Sequence, residues 1–483
     1  MDAFHPESAR RPSPPRSTAT SAALSPLVRG LLLAPVVATL FAMASPTGAL
    51  ASGFYMPGRG VRPMGRGGAY VASGGGNLNS LWYNPANLAT LQDTQLTLDM
   101  AIIGTFSKFD RAPRETEGGG TVEYPQVSNQ SAPDPDPQAL IGGETGIDGL
   151  TWAAGLWAPY ASHQKFPQDG PQRYSLVDNS KSLLAYLGVA VAWEATEDLR
   201  IGGGFQNMVS NFEFVTYTSA YTGVFGRPED RDLDALSKAK VRDLFVPTGN
   251  LGIWYEPVDH FQVAASMQLP AKVVDKNGKI QHRLPSHPAF ADAEIPQPTF
   301  RGELTFPLMA RAALRYSRDS FDIELTGVFE QWSVFDEIRV DPQNMRVENV
   351  PGVGALPLGA LTIPKEWNDT FSIRTGGAYH LNSSVTARLG YIYETGAPPR
   401  DRYSIFAPDP NKHVFSGGFT YDWGTLELDV SAAYYAMENR TIENSKVRQI
   451  NPVDTADELA TVIANGSYKN AMLIVGTGIN YRF

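Results

Sequence analysis

The chain has 483 residues, 11% of them aromatic, with 45 Gly, 36 Pro and no Cys. Its formal net charge of −10 excludes nucleic acid as a partner, and the lack of cysteine excludes a small disulfide-built secreted module. Beyond the leader, no apolar run approaches the ~20 residues of a membrane helix.

Residues 1–51 form a leader. Met1 to about Ser25 is rich in Pro, Ser and Arg, an overlong extension or a misplaced start. Arg29, the apolar run Leu31 to Ala44 and the small-residue site Ala49-Leu50-Ala51 then make a secretory signal peptide with cleavage before Ser52. Pro35 interrupts that run, and it is too short to span a bilayer comfortably.

Residues 52–92 carry clustered glycines and no period-two pattern, so they supply no lipid-facing strand. Inside a barrel their place is the lumen, as a plug. From 93 to 483 the pattern changes to alternation. Leu96, Leu98, Met100 and Ile102 alternate with Gln95, Thr97, Asp99 and Ala101, and the same holds for Phe321 to Thr326, Val385 to Tyr393 and Leu426 to Tyr434. Charges occupy one parity only, as in a strand with one lipid-facing side.

Fourteen such strands are predicted, starting near residues 95, 137, 150, 182, 199, 245, 261, 308, 320, 370, 384, 412, 425 and 470. Their joins alternate in length. Short turns at Gly146–Gly149, Ala195–Asp198, Glu256–Asp259, Ser317–Asp319, Leu381–Ser383 and Asp422–Gly424 separate long connections, the asymmetry of periplasmic turns and external loops. A β-sandwich also alternates, but with shorter strands. The expected fold is therefore all-β, a 14-stranded antiparallel transmembrane β-barrel with an N-terminal lumenal plug and both ends periplasmic.

Three loops carry local signals. In Gly226 to Asp243, Leu233, Leu236 and Val241 stand roughly at helical spacing and predict a short amphipathic helix, either a solvated loop helix or part of ligand capture. Asp275-Lys276-Asn277-Gly278 has the chemistry of a hairpin tip. Val350 to Leu361, rich in Pro, Gly and Leu, suits an apolar loop at the mouth. The last strand sets Leu473, Val475, Ile479 and Tyr481 against Gly476, Gly478, Asn480 and Arg482 and stops on Phe483, the residue through which barrel-assembly machinery would take the chain.

No enzymatic chemistry stands out. The histidines show no His-Glu-x-x-His spacing and no Gly-x-Ser-x-Gly elbow exists. Ser162-His163-Gln164-Lys165 matches Ser-x-x-Lys but lies in a loop. Asp230, Asp232 and Asp234 lack the glycine and distal glutamate of a calcium loop. No catalytic residue, metal ligand or cofactor is expected.

At the plug the chain resembles the FadL/TodX family of outer-membrane transporters of long-chain fatty acids and aromatic hydrocarbons. The resemblance rests on Ser52-Gly53-Phe54, Gly65-Arg66-Gly67-Gly68-Ala69-Tyr70 and Trp82-Tyr83-Asn84-Pro85-Ala86. Further matches are Gly155 to Tyr160, Glu330-Gln331-Trp332-Ser333, Pro364 to Phe371 and Tyr481-Arg482-Phe483. It implies a monomeric barrel in the outer membrane of a Gram-negative bacterium, bathed in its lipid, with a hatch at Gly65, Arg66, Asn84, Pro85 and Ala86. Hydrophobic substrate would enter a pocket beside the mature N-terminus and leave sideways at an inward kink of strand three, here Ala158, Pro159 and Tyr160. Pro159 equally suits a plain strand end. Where many members carry an acidic pair after the Gly-Arg element, this chain has Gly74-Gly75-Gly76-Asn77.

A carrier of apolar molecules needs an apolar channel with a polar anchor. Ser52, Gly53, Phe54, Tyr55 and Met56 are candidates for the ligand surface or for ordinary plug packing. Arg311, Arg374 and Arg388, with Arg315, fall on the polar parity, where an arginine either anchors a carboxylate or pairs with acids such as Asp322, Glu324, Glu427 and Asp429. Asn84-Pro85 is the hinge of the hatch or a structural turn. The function expected is passive import of hydrophobic molecules; a general porin for small hydrophiles, or a structural or adhesive surface barrel, are the alternatives.

Overall fold

A computed structural model describes residues 59–483 apart from 117, 161–162, 222, 224–225, 297, 344, 351–353 and 453–458. The leader, its cleavage site and the candidates Ser52, Gly53, Phe54, Tyr55 and Met56 lie outside the described residues.

Fourteen strands form the wall. In chain order they are β1 Gln95–Arg111, β2 Asp134–Glu144, β3 Leu150–Trp157, β4 Leu183–Thr196, β5 Leu199–Ser219, β6 Asp234–Val258 and β7 Phe261–Gln268. The second half comprises β8 Met309–Arg318, β9 Phe321–Glu330, β10 Thr370–His380, β11 Val385–Glu394, β12 Lys412–Asp422, β13 Leu426–Met437 and β14 Gly466–Arg482. Each pairs antiparallel with its neighbour, and β14 returns to β1 from Gln95↔Arg482 to Arg111↔Gly466. Closure leaves no first or last strand unpaired along the ring, as a hydrocarbon environment demands because it offers backbone N–H and C=O groups no water.

Side-chain parity follows the alternation. Leu98, Met100 and Ile102 on β1 and Leu473, Val475 and Ile479 on β14 point outward and are exposed, while Thr97, Asp99 and Asn480 are buried inside. Trp193, Tyr379, Tyr421, Trp423, Tyr481 and Phe483, all exposed, gather at the ends joined by short turns, as an aromatic girdle does at a membrane interface.

Two loop expectations are corrected. Gly226 to Asp243 holds one 3-10 turn, Arg231–Leu233, and then β6 begins at Asp234. Its apolar residues serve a ladder instead of a helix face, since Leu236 pairs with Tyr217 and Val241 with Phe212 on β5. Non-local pairing outweighs the weak local period. Asp275 to Gly278 is a bulge within an outer strand, Ala271–Arg283, and not a hairpin tip. The Asp275 carboxylate accepts the backbone N–H of Arg242 at 2.7 Å and of Asn277 at 2.9 Å, replacing the ladder there. That outer strand pairs with β6 and continues through Thr299–Phe306, Glu337–Pro342 and Leu361–Pro364, extending the sheet beyond the barrel on the side of the long connections. Leu358 and Leu361 pack against the core.

The plug sits inside the ring as two short helices, Val61–Met64 and Ser80–Tyr83, and a 3-10 helix, Pro85–Thr90. Its cations meet carboxylates of the wall: Arg62 with Asp429, at 2.9 Å, and Glu427, Arg66 with Asp322, and Arg59 with Asp136. Backbone donors do the same, Val61 N–H to Asp99 at 2.9 Å and Val71 N–H to Glu324 at 2.8 Å. Contact is close enough to require glycine in the wall. A Cβ on Gly390 of β11 would stand 2.1 Å from the carbonyl carbon of Arg66.

Gly390→Val is therefore expected to push the plug from its seat at a cost of about 1–3 kcal/mol while the barrel still closes. Limited trypsin digestion of the folded protein should then cut at Arg59 or Arg66, sites protected in the parent; equal protection in both would refute the contact.

Candidate functional site

Of the predicted hatch residues, Asn84 is the most connected. Its Oδ1 accepts the N–H of Ala86 at 3.1 Å and caps the 3-10 helix begun by Pro85. Its Nδ2 donates to the carbonyls of Val71 at 2.9 Å and Ile253 at 3.1 Å, tying two plug segments to β6. Gly65 lies against Gly418 and Ser431 on β12 and β13, so the Gly65-Arg66 and Asn84-Pro85-Ala86 groups meet different sides of the wall.

The lumenal arginines separate into two kinds. Arg374 is fully buried, its Nη2 3.7 Å from Glu394 and 4.0 Å from Glu330. Arg388 lies 3.5 Å from Asp429 and donates to Thr420, and Arg315 lies 3.5 Å from Asp322. These are countercharges to wall acids. Arg311, 2% exposed, has no carboxylate within ion-pair distance among the described residues. Its guanidinium stands 5.0 Å from the Trp82 ring and donates to the Trp82 carbonyl at 3.4 Å.

A second cation of that kind was not anticipated. Lys365, between the outer strand Leu361–Pro364 and β10, is 7% exposed. Its ammonium lies 4.2 Å from the centre of the Phe406 ring and has no carboxylate partner among the described residues. Burial, helped by the charge of Arg402, pushes it down to about 7. Nothing in the local sequence distinguishes this lysine; only the tertiary fold buries it.

Around these groups runs a buried aromatic series. Trp82 of the plug packs 6.3 Å from Trp157 and 5.9 Å from Tyr186, and Tyr160 lies 6.2 Å from Tyr186 and 4.6 Å from Phe306. Nearer the outside, Trp332, Trp367 and Phe335 form one group, and Phe212, Phe214 and Phe406 another. All belong to one continuous apolar cluster.

The wall is incomplete beside this series. β3 has 8 residues and ends at Trp157, opposite Tyr186, so Leu183 to Ala185 of β4 have no partner on that side. Across the gap β2 pairs with β3 only from Ala139 onward, so Asp134 to Gln138, paired with β1 on their other edge, have no β3 partner. Pro135 and Pro137 remove two ladder donors from that stretch. Ala158, Pro159 and Tyr160 follow the strand end, and Tyr160, 3% exposed, is turned inside. Above, the Gln130 N–H donates to the Lys165 carbonyl at 2.7 Å and closes the frame of a window.

His163 straddles that window. Its Nδ1 is 2.9 Å from Asp134 on β2 and its Nε2 2.8 Å from the carbonyl of Ser182, just before β4. Two acceptors on the two ring nitrogens favour the imidazolium. Burial opposes the charge, but the Asp134 carboxylate and the Ser182 carbonyl outweigh it and raise the pKa above the usual value.

A family model described as "Outer membrane protein transport protein (OMPP1/FadL/TodX)" matches residues 42–483. No curated protein sequence matches the chain. Among solved structures it is similar to a Pseudomonas aeruginosa FadL homologue at TM-score 0.72 and 14% identity, covering 89% of this chain and 100% of that one. It is also similar to the Pseudomonas putida toluene transporter TodX, at TM-score 0.60 and 15% identity over 89% and 99% of the two chains. The Ralstonia pickettii toluene transporter TbuX follows at TM-score 0.58 and 14% identity over 88% and 99%. At such identities the likeness shows the fold.

With the folded pKa of His163 raised, its bracing of the window is fully present below the unfolded value of about 6.5 and is lost as pH rises through the folded value. Backbone amide exchange across residues 163–182, corrected for intrinsic rate, should accelerate over that rise, and His163→Phe should abolish the step. A pH-independent corrected rate in the parent would contradict the assignment.

Proposed function

Because the chain belongs to the OMPP1/FadL/TodX family of outer-membrane transport proteins, we propose that it imports hydrophobic molecules such as long-chain fatty acids by passive diffusion. The observation that carries this reading is the window between β2 and β4, because it opens beside an aromatic series that continues to the plug. Apolar ligands gain affinity by leaving water, and a lateral path lets them pass into the bilayer without crossing a polar compartment. A general porin would need an open aqueous lumen; here the plug and the buried apolar cluster occupy it. A purely structural or adhesive barrel would not require the window.

In this reading residues 1–51 are removed at Ala51, residues 52–92 are the plug, and 93–483 form the barrel. Ser52 to Met56 contribute to the pocket, Arg311 beside Trp82 is the lumenal anchor near the plug, and Ala158, Pro159 and Tyr160 line the exit. The mature protein is a monomer in outer-membrane lipid, inserted by barrel-assembly machinery that recognises Phe483.

Cells lacking their own fatty-acid transporter should take up labelled oleate or toluene, but not a small sugar, when this protein is expressed. Pro159→Val lets β3 continue against Leu183 to Ala185 and should lower that uptake about tenfold with the barrel still folded and heat-modifiable. Sugar flux alone would make the protein a porin, and no flux would move attention to the outer loops.

A further inference from the structure

The outer end of the seam between β1 and β14 sets two positive charges against each other. In that ladder Lys108 stands directly opposite Lys469. Both are exposed and share the outward parity, because Ser107, Phe109, Tyr468 and Asn470 beside them are buried inside, where Phe109 stacks on Tyr468 at 4.6 Å. Like charges directly opposite on one sheet face are destabilising, and neither ammonium has a carboxylate at ion-pair distance among the described residues. Asp110, the next outward residue of β1, faces Ser467 and joins no ion pair among the described residues. Glu438, just beyond β13, lies 3.7 Å from Arg440.

The residues below the two lysines fix their height. On β1 the outward positions from Leu96 to Phe106, and on β14 those from Tyr481 to Ala471, carry no charge, and most of them are exposed. Each run advances about 10 residues along its strand, which at ~3.3 Å per residue and a tilt of ~40° rises roughly 25 Å. That is the height of the apolar band of an outer-membrane barrel. Lys108 and Lys469 are the first outward side chains above the band on the side of the long connections, at the level of the outer-leaflet head groups.

We propose that Lys108 and Lys469 together hold the phosphomonoester of an outer-leaflet lipid, whose acyl chains lie down the exposed column of Phe106, Leu473, Ile102 and Val475. A phosphomonoester carries a charge of about −1.5 to −2 at neutral pH, which balances two ammoniums where one carboxylate balances one. Each ammonium is a compact charge with three donors on a flexible stem, able to turn toward a shared phosphate. Ser128, opposite Lys108 in the short strand Val127–Ser128, and Ser467, two residues from Lys469, add hydroxyl donors on either flank. Since one lysine belongs to the first barrel strand and the other to the last, the bound phosphate ties the closing seam together from outside. The site faces away from the lumen and is independent of what the lumen carries.

The test uses the full mature protein in a nonionic detergent, with bound lipid counted by native mass spectrometry. The probes are monophosphoryl lipid A, the same lipid with its phosphate removed, and inorganic phosphate. The parent should bind the phosphorylated lipid more tightly than the dephosphorylated one; Lys108→Gln and Lys469→Gln should each lower that preference about fivefold, and the double substitution should abolish it. Both side chains are exposed, so folding is preserved, and heat-modifiable migration checks it. Lys272→Gln, in the outer sheet and paired with Glu303 at 2.7 Å, is the control and should leave the preference unchanged. Equal binding of the two lipids, an unchanged preference in the double variant, or an equal loss in Lys272→Gln would overturn the site. Displacement of the lipid by millimolar inorganic phosphate would make it a free-phosphate site and overturn the lipid assignment. Bound lipid should also raise the temperature of the mobility shift in the parent and not in the double variant; no rise in the parent would overturn the bridging of the seam.

Discussion

Everything in this molecule answers to the absence of water in a hydrocarbon layer. A wall built from strands satisfies its backbone only by closing on itself, and the β14–β1 ladder does that. Closure then fixes parity for every strand, sending Leu, Ile and Val outward and acids such as Asp99, Asp322, Glu324, Glu427 and Asp429 inward. Those inward carboxylates are the second consequence. A ring of buried negative charge is unstable alone, and it is met by Arg62 and Arg66 of the plug and by Arg315 and Arg388 of the wall. The plug brings cations and no acid to this balance in the stretch Gly74-Gly75-Gly76-Asn77.

The ladder is interrupted between β2 and β4, beside the buried aromatic series. Between β2 and β4 the wall lacks a strand above Trp157, and the missing partner is replaced by an inward-turned chain and a histidine that touches both sides. The cost of unpaired backbone is thereby confined to a short stretch in which Pro135 and Pro137 have already removed two donors. Two classes of buried cation follow from the same accounting: those that neutralise the wall, and Arg311 and Lys365, which lie against aromatic rings with no carboxylate at ion-pair distance among the described residues.

Much of this was legible in the sequence because period-two alternation and the lengths of the joins are local records of a global shape. The starts of β1, β3, β5, β7, β10 and β12 agree with the alternation to the residue. The loops were less legible. Leu233, Leu236 and Val241 mimic a helix face, yet the partner that decides their conformation is β5, remote in its contacts and invisible to a local period. Arg311, Arg374 and Arg388 share one parity and one residue type, and only the positions of Glu330, Glu394 and Asp429 on other strands separate them. Lys365 carries no signal at all, because a buried cation without an acid among the described residues is defined by what fails to surround it. The window had a trace, the alternating prolines at 135 and 137, which acquires meaning once β3 is known to stop early.

The seam between β1 and β14, each 17 residues long, joins the first and last strands of the barrel. The plug is the segment immediately before β1, so it belongs to one lip of that seam. The ring therefore cannot close until β14 is in place, and its closure depends on a pairing across the full length of the barrel sequence, the slow kind of contact to form.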